Sequence, residues 1–138
     1  MCIRDRSNVV GLDASSGEVL WKAPRKGRTA TISTPIFHEG HVFVSSAYGV
    51  GCNGFKVTQS GGKFSAKETY AIKSIANHHG GCIRVGDYVY GSSGGTLACL
   101  ELKTGKEMWR QRSAGKGSIL IIDGKIILRA EGGPIALV

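Results

Sequence analysis

The chain has 138 residues, about the size of one domain, and a net charge of +8. Glycine takes 21 positions and proline only 3. Scattered glycines disfavour a helical bundle, because each one inside a helix costs about 1 kcal/mol relative to alanine. The missing three-residue glycine period excludes collagen, and the 41% content of apolar residues excludes a disordered linker. The composition therefore predicts short strands joined by glycine-dependent turns.

The first seven residues have no apolar core of the length that a signal peptide requires. They resemble translated sequencing-adapter sequence. We therefore expect residues 1–7 to be a non-native segment and residues 8–138 to be the domain, with the native N-terminus lying further upstream.

Apolar stretches separated by turn residues predict a series of short strands. In chain order they lie near residues 8–13, 19–23, 33–38, 42–46, 52–57, 64–72, 80–85, 88–92, 96–102, 107–112, 117–122, 126–130 and 134–138. No stretch has a convincing helical period, and residues 67–76 come nearest to one. The longest aliphatic run, residues 119–122, is far shorter than the roughly 18 residues of a membrane-spanning helix.

Two segments of the chain, residues 12–21 and 100–109, have similar sequences. Gly17 and Gly105 are 88 positions apart, as are the tryptophans that end the two segments. Half of that distance leads from Gly17 to Gly61, in a degenerate middle copy that has no tryptophan. A second glycine turn recurs at positions 40, 86 and 124, each time before a strand. A period near 44 residues, with about four strands in each unit, indicates the blades of a β-propeller.

The repeated residues have a clear structural logic. Asp13 can accept hydrogen bonds from the turn backbone, and Gly17 supplies a positive φ that other residues resist. Trp21 then falls on a strand, where its large ring can fill the wedge between neighbouring sheets. Gly105 and Trp109 take the same places in the last copy. We expect these residues to be structural.

At these positions the chain resembles the pyrroloquinoline-quinone-like (PQQ-like) repeat, whose core reads Ala-x-Asp-x-x-Thr-Gly-x-x-x-Trp. Residues 12–21 match it with Ser16 in the threonine place, and residues 100–109 match it with Glu101 in the aspartate place. Residues 58–65 match poorly. The family includes quinoprotein alcohol dehydrogenases and the BamB-like outer-membrane assembly lipoproteins, which have the repeat but no cofactor.

The resemblance implies an all-β fold of four-stranded antiparallel blades arranged in a seven- or eight-bladed ring. Residues 8–138 provide about three blades, fewer than the 4–8 with which a propeller usually closes. We therefore expect the chain to be an internal fragment of a larger propeller.

Several motifs that suggest catalysis have the wrong context. Residues 49–54 match Gly-x-Gly-x-x-Gly, but a predicted strand follows instead of the helix that a dinucleotide site needs. Residues 91–95 match Gly-x-Ser-x-Gly, but they join two predicted strands. The four cysteines form no Cys-x-x-Cys pair. No catalytic, cofactor-binding or metal-binding residue is predicted.

The best candidates for a functional site are Asn77, His78 and His79, which precede a strand of the innermost type. They are candidates for lining the central funnel or its mouth, and structural hydrogen bonding is the alternative. A metal shared by the two histidines is disfavoured, because adjacent residues of a strand point to opposite faces.

The resemblance implies a non-catalytic module that binds a protein or a small ligand through its loops, in the periplasm or outside the cell. The alternative is a quinone-dependent alcohol or sugar dehydrogenase that uses PQQ and calcium and has its catalytic site in other blades. Such enzymes usually carry vicinal cysteines, which this chain does not have. A third hypothesis is the capture of a peptide by strand addition at a blade edge.

A nucleic-acid partner is not expected, because the basic residues are dispersed. We expect the densest basic cluster to be solvated surface. It consists of Lys22, Arg25, Lys26 and Arg28.

Overall fold

The structure is a computed structural model that describes residues 2–4, 7–27 and 31–138, with side chains described from residue 7 onward. Within these residues, fourteen strands form four antiparallel sheets. Sheet 1 contains β1 (Cys2–Arg4), β2 (Asn8–Leu12) and β3 (Val19–Pro24). Sheet 2 contains β4 (Ile36–His38), β5 (His41–Ser46), β6 (Gly51–Ser60) and β7 (Lys63–Ile72). Sheet 3 contains β8 (Cys82–Val85), β9 (Tyr88–Ser93), β10 (Thr96–Glu101) and β11 (Glu107–Arg112). Sheet 4 contains β12 (Gly117–Ile122), β13 (Lys125–Ala130) and β14 (Ile135–Leu137).

Each sheet is a meander in which strands adjacent in sequence pair with each other. The first strands of successive sheets contact one another, β4 with β8 and β8 with β12, and so form the inner side of the assembly. The predicted all-β fold of four-stranded antiparallel sheets is confirmed in sheets 2 and 3, and the described parts of sheets 1 and 4 have three strands each. The blade number of the whole ring stays a prediction.

The described residues contain no helix that could cross a membrane.

Sheet 1 extends into residues 1–7, which the sequence analysis separates from the domain. Residues 2–4 form β1, which pairs with β2 from Cys2 opposite Gly11 to Arg4 opposite Val9. This pairing has a simple physical cause, because an antiparallel partner satisfies the otherwise open edge of β2. The non-native origin of the segment stays a prediction.

Three apolar clusters lie between successive sheets. Alternation along β5 shows how one strand serves two of them. Val42 and Val44 enter the cluster with sheet 1, whereas Phe43 enters the cluster with sheet 3. Side chains of a strand alternate between its two faces, so a sheet buried on both faces needs a continuous apolar run. Sheet 2 is therefore held between its neighbours by both faces.

The connections divide between two ends of the sheets. The hairpin end carries the turn between the first two strands of sheets 2, 3 and 4 and the turn between the last two strands of sheets 1, 2 and 3. These turns are residues 13–18, 39–40, 61–62, 86–87, 102–106 and 123–124. The linker end carries the other described turns and the described parts of the segments that join one sheet to the next, which are residues 25–27, 31–35, 47–50, 73–81, 94–95, 113–116 and 131–134.

Candidate functional site

The first repeat turn is closed by its aspartate. Oδ1 of Asp13 accepts hydrogen bonds from the backbone N–H of Ser15 at 2.7 Å and of Ser16 at 3.1 Å. The Ser15 hydroxyl also donates to it, and these bonds lower the pKa of Asp13 to about 2. Gly17 has a φ of 77°, in the left-handed region that favours glycine. The turn thus uses Asp13 as a structural acceptor.

The last repeat turn has the same design with different side chains. The hydroxyl of Thr104 donates to the carboxylate of Glu101, and it accepts from the backbone N–H of Lys106 at 3.1 Å. Gly105 has a φ of 74°. The middle copy differs, because Gly61 and its neighbour form a two-residue hairpin in which both glycines have positive φ.

The two repeat tryptophans lie between sheets. Trp21 is 7% exposed and covers Gly11, where an added Cβ would come within 2.0 Å of the indole nitrogen. Trp109 lies with its ring centroid 6.0 Å from that of Tyr90 and packs against the cluster shared with sheet 4. Both rings pack into apolar clusters between neighbouring sheets.

Asn77, the first of the predicted ligand-facing residues, is buried at the linker end. It is 1% exposed, and its Oδ1 accepts from the Ser33 hydroxyl at 2.7 Å. Its Nδ2 donates to the carbonyl of Ser92 at 3.3 Å. Its backbone N–H donates to the Ser45 hydroxyl, which in turn donates to the carbonyl of Ile75 at 2.9 Å. Asn77 therefore joins sheets 2 and 3 and is closed to an external ligand in this structure.

His78 and His79 lie at the surface beside Asn77. The hydroxyl of Tyr48 lies 2.8 Å from Nε2 of His78, and the two histidine rings are 5.1 Å apart. His79 lies 3.7 Å from the carboxylate of Glu131, which also accepts an ion pair from Lys116 at 2.8 Å. The Lys116 ammonium lowers the pKa of Glu131. We refer to the surface formed by Tyr48, His78, His79, Lys116 and Glu131 as the linker-end surface.

Two residues of the linker-end surface have uncommon features, Tyr48 in its backbone conformation and His78 in a ring nitrogen. Tyr48 is 55% exposed and has a φ of 56°, which is uncommon for an aromatic residue. Nδ1 of His78 is buried without a hydrogen-bond partner in the described part of the chain. The sequence interpretation missed Tyr48 and Glu131, because they lie 30 positions before His78 and 52 positions after His79. Only the packing of three sheets brings them together.

A second cluster of titratable groups lies at the hairpin end. Ligand atoms of His38, Glu39 and Asp87 all lie within 4.8 Å of one another. The Lys103 ammonium donates to Glu39 at 2.7 Å and lies 3.7 Å from Asp87, so a cation of the protein already faces these carboxylates. This contact lowers the pKa of Glu39. The arrangement joins sheets 2 and 3 as an ion-pair network.

Arg25 differs from the prediction that its basic cluster is solvated. It is 4% exposed and donates to Oδ1 of Asn53 at 2.7 Å, to the Ser46 hydroxyl at 2.7 Å and to the carbonyl of Gly51 at 3.1 Å. Asn53 in turn donates to Glu68 at 2.8 Å. Burial is tolerated because the planar guanidinium finds several acceptors. Arg28 lies outside the described residues, and Lys22 and Lys26 are exposed.

A family model described as outer membrane protein assembly factor BamB matches residues 2–111 and residues 58–137. The chain belongs to this family. The two matches overlap, as expected when repeats fit the same model in more than one alignment. A search of curated proteins finds no match.

Two solved structures share the fold of this family member. The crystal structure of BamB from Moraxella catarrhalis matches with a TM-score of 0.65 and 17% identity, over 96% of this chain and 44% of that one. The chain therefore spans less than half of that BamB. The computationally designed Ika4 protein matches with a TM-score of 0.68 and 12% identity, over 96% of this chain and 79% of that one. These similarities support the propeller fold.

Proposed function

We propose that this chain is part of a non-catalytic propeller that acts as a binding or scaffolding module. The linker-end surface carries the proposal, because side chains from loops of different sheets meet there on a rigid base. Tyr48 presents an exposed ring on a strained backbone, and such outliers cluster at functional sites. Asn77 fixes the linker beneath it through hydrogen bonds to three residues.

The acidic side chains support a scaffold over the dehydrogenase alternative. Asp13 is held by turn hydrogen bonds, and Glu39 is held by Lys103. Glu107 and Glu131 form ion pairs with cations of their own, at 2.7 Å and 2.8 Å. Carboxylates used in this way stabilise turns and sheet contacts. The PQQ and calcium of the alternative would therefore need ligands from elsewhere in the ring.

The family supports a class of partner and a location for this module. A family described as an outer-membrane assembly factor supports a protein partner and a place in the cell envelope, in the periplasm. The exposed ring of Tyr48, beside the half-buried histidines, is suited to such a contact, since aromatic residues are enriched at protein interfaces. A small ligand bound at the loops is the second class of partner, and the family description does not support it.

The experiment that tests this function uses the full-length gene product. We expect no dye-linked alcohol oxidation after addition of PQQ and calcium, and no measurable quinone binding. Site-specific photocrosslinkers at Tyr48 and at Lys125 should trap an envelope protein from the former position only, since Lys125 is an exposed control at the hairpin end. Robust quinone-dependent turnover would overturn the proposal.

A further inference from the structure

A row of basic side chains crosses the whole of sheet 2 near its hairpin end. The strand registers place His38 opposite His41, and His41 opposite Lys56. Lys56 is in turn opposite Lys67 on the outermost strand. Side chains of directly opposed residues project from the same face of a sheet. Four basic groups therefore stand side by side on one face.

Carboxylates of the protein lie beside the inner end of this row. The imidazole of His38 lies 3.5 Å from the carboxylate of Asp87 and 4.0 Å from that of Glu39. At the outer end, Lys56 and Lys67 form no ion pair with a carboxylate of the described residues. Like charges directly opposite each other destabilise a sheet. The outer end thus lacks the negative charge that the inner end has.

The hairpin of β6 and β7 extends this basic face. Both strands have ten residues, whereas the other described strands have at most six. Lys63 lies four residues from Lys67 and so points to the same face. Between them, the Ser65 hydroxyl is hydrogen-bonded to that of Thr58 at 2.9 Å. The outer face of the hairpin is therefore lysine-rich and hydroxyl-bearing.

The outer edge of β7 has no strand partner among the residues that the structure describes. Among the described strands, β7 pairs only with β6. Residues 67–69 of β7 are exposed. An unpaired strand edge presents a row of backbone donors and acceptors to which another strand can add. Sheets 1 and 3 pack against the two faces of sheet 2, and β3 of sheet 1 comes near β7 without pairing with it.

The opposite face of the hairpin is apolar. Phe64 lines a groove of about 230 Å³ together with Trp21, Leu20 and Phe37. Phe37 is 58% exposed. Phe64 and Ala66 alternate with Lys63, Ser65 and Lys67 along β7, so the two faces of the same edge have opposite character.

We propose that the outer edge of β7 binds an extended protein segment whose residues alternate between acidic and apolar. The segment adds as a strand to sheet 2 and pairs with the backbone of β7. Its acidic side chains lie beside Lys63 and Lys67, and its apolar side chains lie beside Phe64 and Ala66. This inference rests on the proposed binding function and names the partner chemistry of one edge.

The test uses the 138-residue chain and a fluorescein-labelled ten-residue peptide of alternating glutamate and valine. Fluorescence anisotropy should show saturable binding that weakens as salt rises, because ion pairs at an exposed edge are screened. Replacing glutamate by lysine in the peptide should abolish binding. Methylation of alternate backbone nitrogens should do the same, because it removes the donors that pair with the strand edge.

The protein variants separate the edge from general charge. K63E/K67E should weaken binding by about tenfold or more, since two attractions become repulsions. The control K125E replaces another exposed lysine, on sheet 4, and should bind within about twofold of wild type. K67E relieves the Lys56–Lys67 repulsion, so it should leave the urea midpoint unchanged or raised. If K67E loses peptide binding while its urea midpoint is unchanged or raised, the loss of binding is not caused by unfolding.

Two outcomes overturn the inference. Equal binding by K63E/K67E and K125E would show that the lysine face is not used. Equal binding by the methylated peptide would show charge attraction without strand addition. Either result leaves the proposed scaffold function intact if photocrosslinking at Tyr48 still captures an envelope protein. Quinone-dependent turnover would instead overturn the proposed function itself.

Discussion

The hydroxyl of Ser33 donates to Oδ1 of Asn77 over 2.7 Å, and the two residues are 44 positions apart. This separation equals one sequence repeat, so both residues occupy the linker that precedes the first strand of a sheet. The bond therefore joins equivalent places in neighbouring sheets. It explains why a polar side chain can be buried there, because every atom of the amide group has a partner.

Replacing Asn77 by alanine should destabilise the chain by about 2–3 kcal/mol, because it removes the partners of Ser33 and Ser92 and leaves polar atoms buried. Urea unfolding measures the change. The control Gln59→Ala, at the exposed end of β6, should cost less than about 0.5 kcal/mol. Equal effects of the two substitutions would contradict the structural role of Asn77.

Gly11→Ala should destabilise sheet 1 by about 1–3 kcal/mol, because the new methyl group would overlap the Trp21 indole. Gly95→Ala is the matched control, since it has ordinary backbone dihedrals and no atom within 4 Å of the added carbon. Its unfolding free energy should stay within about 0.5 kcal/mol of wild type. Thermal unfolding followed by circular dichroism compares the two.

Asp13 should titrate with a midpoint near pH 2, because its turn hydrogen bonds favour the carboxylate. The pKa in the folded state lies below the ordinary value of 3.8, so the associated stability is present above about pH 4 and is lost as the pH falls towards 2. The urea midpoints of wild type and Asp13→Asn should therefore converge on acidification. If the urea midpoints of the two proteins differ by the same amount at pH 6 and at pH 2, the Asp13 carboxylate does not stabilise this turn.

The thiols should differ in reactivity. Burial raises the pKa of Cys52 to about 11 and also raises the pKa of Cys99, so both have little thiolate at pH 8. Cys82 is only partly buried. In a Cys2→Ser variant, iodoacetamide labelling followed by mass spectrometry should modify Cys82 first. Early labelling of Cys52 would mean that the cluster between sheets 2 and 3 opens readily.

The sequence by itself determined the local structure of this protein. The alternation of apolar residues located thirteen of the fourteen described strands to within three residues at each end, and it missed β1 in residues 1–7. Gly17, Gly61 and Gly105 marked the turns between the last two strands of successive sheets, because those turns need a positive φ. The period of 44 then predicted the propeller. Strand positions and turns depend on residues that are close together in the sequence, so the order of residues is enough to predict them.

Only the tertiary structure decided which side chains meet. Asn77 is buried while the adjacent His78 reaches the surface, and Arg25 is enclosed although its charge predicts solvent exposure. The row that joins Lys56 to Lys67 depends on strand register, which the bulge between Gly54 and Phe55 shifts. A register shift of one residue moves every side chain of a strand to the other face. Burial and cross-strand pairing therefore follow from long-range packing, which the local pattern does not encode.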